Sequence, residues 1–382
     1  MVDSASQLVT DILSGTLRLL DIPADMQTAA EATYDDVGLW LGDHLESNDH
    51  WDVYAQGSMR LGTVVRPSDN DEYDIDAVVQ CNIGKEETTQ ADLRKCVGDA
   101  LKAYVTAKAG DDKSPTACQP GKRCWTLTFD QPFHLDVLPA IPDPLAPPTG
   151  IQLTDRTYTR WLWSNPIEFV RWFHGQSRQT LELRHALAKS LQVDVEDVPA
   201  WHVKTTLQQA VQAMKAHRNI YFASDLASRP PSVLLTTLAG HAYGGETNLF
   251  EAVMGIAADM DLYIERDGRD YVVLNPVQPP DRPENFADRW GKDPALVQKF
   301  HGWLDAFQRS LDHVIETKTG MNELVHRLGA SFGSSPVQKA AKQYAEEQNA
   351  ARSSSRLNVT SSGALTTGAG LTVVKEHTFH GE

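Results

Sequence analysis

Residues 56–79 read QGSMRLGTVVRPSDNDEYDIDAVV, and residues 133–140 read FHLDVLPA. Gly57-Ser58 is followed, sixteen residues after the serine, by Asp74-Ile75-Asp76, and Asp136 stands alone in the later apolar run. YDIDAVVQC (73–81) is rich in β-branched and apolar residues, which predicts a buried strand. Side chains two apart on a strand leave from the same face, so Asp74 and Asp76 project together with Ile75 behind them. Two neighbouring carboxylates repel, and without a cation one of them is driven toward protonation, so the pair calls for a divalent metal. Asp136, between Leu135 and Val137, is a third charge that needs a partner. Three carboxylates on adjacent strands can hold two Mg²⁺ ions, or Mn²⁺ in their place, about 3.5–4 Å apart, one activating an attacking hydroxyl and one stabilising a leaving pyrophosphate. Gly57 lets the backbone approach phosphate oxygens, and residues 58–63 (SMRLGT) can start a short helix whose N–H groups and Ser58 hydroxyl face anions.

Outward from this stretch, the first forty-odd residues carry apolar positions at helical spacing (Leu8, Ile12, Leu17, Leu20, then Ala29, Ala32, Val37, Trp40, Leu41), and Pro23 divides them into two helices. WDVYAQ (51–56) reads as a short strand, residues 87–108 as a helix, and RCWTLTF (123–129) with FHLDVLPAI (133–141) as a hairpin or adjacent strands parted by Asp130-Gln131-Pro132. PDPLAPPTG (142–150) closes the sheet region on this reading. From Asn165-Pro166 the pattern turns helical: 167–189, 198–217, 232–243, 249–262 and 294–317. The expectation is an α+β (α/β) protein, with a mixed-sheet core and N-terminal helices over 1–164 and an α-helical lobe over 165–350 that completes a cleft. A Ser/Thr/Gly-rich tail over 351–382 buries too little apolar surface to order itself, although its end, LTVVKEHTFHGE, is again β-branched and aromatic.

The net charge of −16 argues against gripping duplex nucleic acid along a broad face, since such binding rests on Lys and Arg neutralising phosphates. Triphosphates remain available to an acidic enzyme whose metal ions do the neutralising. No apolar run spans a bilayer, the N-terminus lacks a signal-peptide pattern, and Cys81, Cys96, Cys118 and Cys124 have no zinc spacing, which reads as the reduced thiols of a cytoplasmic protein. Gly121-Lys122 lacks the glycine spacing and the Ser/Thr of a P-loop.

QGSMRLGTVVRPSDNDEYDIDAVV with FHLDVLPA resembles the polymerase-beta-like nucleotidyltransferase superfamily, and within it the cGAS/DncV-like nucleotidyltransferases (CD-NTases) of CBASS antiphage systems. LQQAVQAMKAHRNIYFAS and RPPSVLLTTLAGHAY are similar to the family's Lys-bearing helix and the Ser-starting helix after it. The resemblance implies a cyclic oligonucleotide second-messenger synthase using ATP and GTP, with catalytic and metal-holding Asp74, Asp76 and Asp136 and with Lys215 and Ser232 on the triphosphate. The chain pattern resembles clade D, which implies a cyclic trinucleotide of A and G.

From the residues alone, Lys215 is a surface lysine or one that reaches into a cleft, Ser232 is a helix N-cap or a phosphate contact, and Asn165 forms a turn or touches a nucleobase. The resemblance further implies that the tail is recognised by an E1/E2-like conjugating partner and that a downstream effector binds the product; an inert terminus is the alternative. Without a zinc insertion or long basic helix, direct duplex-DNA activation is not expected. The competing enzyme reading is a transferase acting on RNA, protein or a small molecule, and the non-enzymatic one is a nucleotide-binding scaffold, which an unused carboxylate cluster disfavours.

Overall fold

The computed structural model describes residues 4–45, 51–66, 73–110, 114–130, 133–155, 157–158, 160–177, 204–279, 281, 284–315, 320–354, 358–359, 365–366 and 372–373. In chain order the elements are α1 (Ser4–Leu20), α2 (Ala24–His44), β1 (Trp51–Gln56), α3 (Gly57–Leu61), β2 (Tyr73–Cys81), α4 (Gln90–Ala107), β3 (Pro115–Pro120), β4 (Trp125–Phe129), β5 (Phe133–Pro142), β6 (Ile151–Leu153), β7 (Leu162–Ser164) and α5 (Pro166–Gln176). There follow α6 (Thr206–Tyr221), α7 (Ser232–Ala242), α8 (Leu249–Asp259), the short strands β8 (Glu265–Asp267) and β9 (Asp270–Val272), α9 (Pro294–Ile315), α10 (Met321–Phe332) and α11 (Ser334–Ser353). The chain divides into two compact units, residues 22–175 with 272–287, and residues 1–21 with 176–271 and 288–382.

The first unit is built on a seven-stranded mixed sheet of order β1-β2-β5-β4-β3, with β6 added to the end of β5 and β7 to β6. β2 and β5 run parallel, and the other pairings are antiparallel. Strand alternation decides what each face carries. Ile75, Ala77 and Val79 of β2, Phe133, Leu135 and Val137 of β5, and Trp125, Leu127 and Phe129 of β4 enter one core with Val37 and Leu41 of α2 and Val97, Leu101 and Tyr104 of α4. Burying each such large side chain is worth roughly 1.5–3 kcal/mol, so this face pins the register of the strands. α4 starts at Thr89, whose hydroxyl accepts from the Asp92 amide at 3.1 Å. Buried Arg94 donates to the Gly121 and Cys124 carbonyls, and the Trp125 indole returns a bond to the Arg94 carbonyl at 2.9 Å, which fixes the entry into β4. Gly98 lies under Trp125, where a Cβ would overlap the indole.

Several expectations need correction. The sheet does not end at PDPLAPPTG: β6 and β7 continue it, because IQL and LWS extend the ladder past the proline-rich loop. β3, whose two prolines mask it in the sequence, forms an edge, the position where a missing N–H is tolerated. The division of the chain is spatial rather than sequential. α1 packs along α11 and α8 in the helical unit, with Thr10 donating to Asn248 at 2.8 Å, while α5 stays with the sheet unit. The expected helices over 167–189 and 198–217 extend into residues 178–203, which lie outside the described residues. In the tail, residues 358–359, 365–366 and 372–373 pair as a three-stranded antiparallel sheet, a departure from an unstructured linker at these six positions.

The helical unit is cored by aromatics around His217 of α6, which stacks on Tyr221 and abuts Trp303, Phe307 and Phe332. Its Nδ1 finds no hydrogen-bond partner among the described residues. Burial disfavours the imidazolium and pulls the pKa down from 6.5 to about 4. Between those values the unfolded chain binds more protons than the folded one, so this contribution is complete above about pH 6.5 and is lost as pH falls toward 4. His217→Leu is expected to lose less stability than the parent over that window, the gap approaching about 3 kcal/mol in urea unfolding at the two pH values; an unchanged gap contradicts the assignment.

Candidate active site

The sheet face opposite the α2/α4 core carries the polar residues. In the parallel pairing Asp74 lies opposite His134 and Asp76 opposite Asp136; β1 sets Gln56 beside Asp76, and β4 sets Thr126 beside Asp136 and Thr128 beside His134. Paired residues point to the same face. The result is a row Gln56, Asp76, Asp136, Thr126 and, one step along, a row Asp74, His134, Thr128. The three aspartates expected from the sequence are therefore together on one face, as expected.

Each carboxylate is held differently. Thr126 donates to Asp136 Oδ1 at 2.5 Å. His134 Nε2 lies 3.2 Å from Asp74 Oδ1, with Asp74 well exposed. Ligand atoms from Asp74, His134 and Asp136 all fall within 4.8 Å of one another. Asp76 lies against Gly57, the first residue of α3: Gly57 has φ +67°, and a Cβ there would overlap the Asp76 carboxylate. The glycine is thus required twice, for its left-handed backbone and for its missing side chain. Gly62, at φ +68°, ends α3 after one turn, and Ser58 lies within that turn, its carbonyl accepting from the Thr63 amide at 3.0 Å. A donor set of carboxylates and one imidazole, clustered and open to solvent at Asp74, suits a divalent cation. All four cysteines are free thiols; Cys124 lies near Asp136 and Asp76, and burial first, then the Asp136 charge, push its thiol up to about 12, which makes it a poor nucleophile.

The remaining residues are placed as follows. Lys215 on α6 is 6% exposed, so the surface reading is overturned. Ser232 is not the N-cap of α7: Pro231, in extended geometry, holds that position, and Ser232 is the first helical residue. Its hydroxyl accepts from buried Arg218 at 3.0 Å. Arg218, which also donates to the Pro230 carbonyl, is drawn down to about 9 by burial. Asn165 is buried and its Oδ1 accepts from the Glu168 amide at 3.1 Å, starting α5 in the turn role. Sequence reasoning passed over His134, Thr126 and Arg218. His134 was recoverable, since it stands two before Asp136 and so shares its face, whereas Thr126 depends on a pairing that only the folded sheet supplies.

A model of the nucleotidyltransferase domain of cyclic GMP-AMP synthase DncV-like proteins matches residues 52–139. A c-di-GMP synthase of Roseivirga ehrenbergii is 27% identical over 357 residues, covering 92% of this chain and 91% of that protein. The cyclic dinucleotide synthase CdnG of Bradyrhizobium diazoefficiens is 28% identical over 337 residues, covering 82% and 77%. The fold is similar to the solved structure of that CdnG in complex with GTP, with a TM-score of 0.69 at 24% identity over 88% of this chain and 99% of that one. It is also similar to Vibrio cholerae DncV in its GTP-bound form, with a TM-score of 0.53 at 15% identity over 86% of each chain. The matched domain coincides with the strands that carry the aspartates, and likeness continues beyond it over most of the chain: residues 52–139 match a DncV-like nucleotidyltransferase domain, and the chain as a whole is similar to cyclic dinucleotide synthases.

Proposed function

We propose that this chain synthesises a cyclic dinucleotide second messenger from nucleoside triphosphates, using Asp74, Asp76 and Asp136 to hold two Mg²⁺ ions. The observation that carries the reading is the side-by-side placement of Asp76 and Asp136 on parallel strands with Asp74 one step along. Carboxylates on strands about 4.8 Å apart repel by about 3 kcal/mol at an effective dielectric near 20. A site that keeps such an arrangement is built for cations.

Bound there, the cations would lower the pKa of an attacking ribose hydroxyl and neutralise the leaving pyrophosphate. In each transfer the hydroxyl oxygen bonds to the α-phosphorus, the bond from that phosphorus to pyrophosphate breaks, and the hydroxyl proton passes to solvent water. The chain's own part is orientation. Thr126 fixes the Asp136 carboxylate. Gly57 leaves room for Asp76 and brings backbone and the Ser58 hydroxyl toward phosphate. Nucleotide contacts are assigned to Lys215 and Ser232 on the family resemblance, and a nucleobase contact to Asn165, whose Oδ1 is already used by the backbone.

The relatives' activities, c-di-GMP synthesis and cyclic dinucleotide synthesis, favour a guanine-containing cyclic dinucleotide over the A/G trinucleotide implied by the likeness to clade D. The product would act in antiphage signalling through a downstream effector. For partners, an Escherichia coli CdnC solved with a HORMA protein has a similar fold, and the C-terminal segment, whose residues 374–382 lie outside the described residues, is assigned to an E1/E2-like conjugating partner.

Purified protein incubated with Mg²⁺ or Mn²⁺ and the four NTPs is expected to yield a phosphatase-resistant cyclic product by mass spectrometry, and Asp74→Asn/Asp76→Asn to fall below about 1% of it. Linear products that appear only when RNA, protein or a small acceptor is added would favour the acceptor-dependent transferase instead. Gly57→Ala is expected to slow synthesis by roughly 10² and also to lower the unfolding midpoint, because the new Cβ displaces Asp76 and alanine is strained at φ +67°; unchanged synthesis contradicts the role given to Gly57. Removing residues 370–382 is expected to leave synthesis in vitro intact and to abolish any covalent conjugate, and loss of synthesis contradicts the tail assignment.

A further inference from the structure

We propose that His134 is a direct nitrogen ligand of one divalent cation, so that the site is a mixed nitrogen–oxygen site that prefers Mn²⁺ to Mg²⁺. The inference rests on the reading that the aspartates hold metal, and it concerns which atoms complete that hold. Three observations carry it. His134 shares the carboxylate face, opposite Asp74 and two residues before Asp136. Its Nε2 lies 3.2 Å from Asp74 Oδ1, close to the separation of about 3 Å that two cis ligands take around one ion at bond lengths of about 2.1–2.2 Å. Finally, Asp74, His134 and Asp136 form the compact ligand group, all atoms within 4.8 Å, and Asp76 is not a member of it, being turned to Gly57.

The chemistry of the donor set then decides the ion. Mg²⁺ takes carboxylate, phosphate and water oxygens and gains little from imidazole. Mn²⁺ follows the same oxygen preference but accepts a nitrogen ligand more readily, as do the later first-row ions. An imidazole at the position of His134 therefore shifts selectivity toward Mn²⁺ at the Asp74/Asp136 position, while the Asp76/Asp136 position remains an all-oxygen site.

The full-length protein titrated with Mn²⁺ alone, without nucleotide, tests this by electron paramagnetic resonance. Bound Mn²⁺ is expected to show the ¹⁴N modulation of a coordinated imidazole, converted to a ¹⁵N pattern by selective ¹⁵N-histidine labelling of the unaltered sequence, a readout that does not depend on a variant folding. His134→Gln is expected to abolish the nitrogen signal and to lower the Mn²⁺/Mg²⁺ affinity ratio about tenfold. Aspartate-dependent Mn²⁺ binding with no nitrogen coupling, or coupling that persists in His134→Gln, overturns the role of His134 and leaves the carboxylate reading standing. Mn²⁺ binding that is unchanged in Asp74→Asn/Asp136→Asn overturns both.

Discussion

The parallel pairing of β2 with β5 is the constraint on which the rest depends. It sets Asp76 directly beside Asp136 and Asp74 beside His134, so charges that local sequence keeps some sixty residues apart become neighbours. Repulsion between the carboxylates does not favour the arrangement in the absence of a cation, although Thr126 bonds Asp136 and His134 approaches Asp74. The opposite face favours it: Ile75, Ala77, Leu135 and Val137 are buried under α2 and α4, and a one-residue slip of either strand would turn its apolar set to water and its aspartates into the core. The hydrophobic face thus holds the polar face in a geometry that its own charges oppose.

The supports around the site follow the same logic. Trp125 is buried over Gly98 and bonded to the Arg94 carbonyl, and its neighbour on the other face of β4 is Thr126, the hydroxyl that orients Asp136. Packing of α4 is in this way linked through one strand to the position of a carboxylate. On the other side, β1 delivers the chain into Gly57, whose left-handed backbone and lack of a side chain admit Asp76.

Much of this was legible in the sequence, and the limits have physical causes. Alternation within a strand is local, so the common direction of Asp74 and Asp76 and the isolation of Asp136 could be read directly. Register between strands is not local, which is why Thr126 was missed. β3 was hidden by Pro115 and Pro120, residues that a central strand would exclude and an edge strand admits. The placement of α1 with the helical unit rests on packing against α11, more than three hundred residues later, and no window of sequence holds both helices. The burial of Lys215 was half-readable: its neighbours Ala210, Val211 and Met214 marked an apolar face, but α6 is buried over much of its surface, and periodicity weakens where both sides of a helix are covered.

Anomalous diffraction from crystals soaked with Mn²⁺ and a non-hydrolysable guanosine triphosphate analogue measures the central claim most directly. The account predicts two manganese peaks about 3.5–4 Å apart among Asp74, Asp76 and Asp136, with the triphosphate reaching Gly57-Ser58. Ordered nucleotide with no manganese on the carboxylate face, or manganese bound only elsewhere, would contradict it.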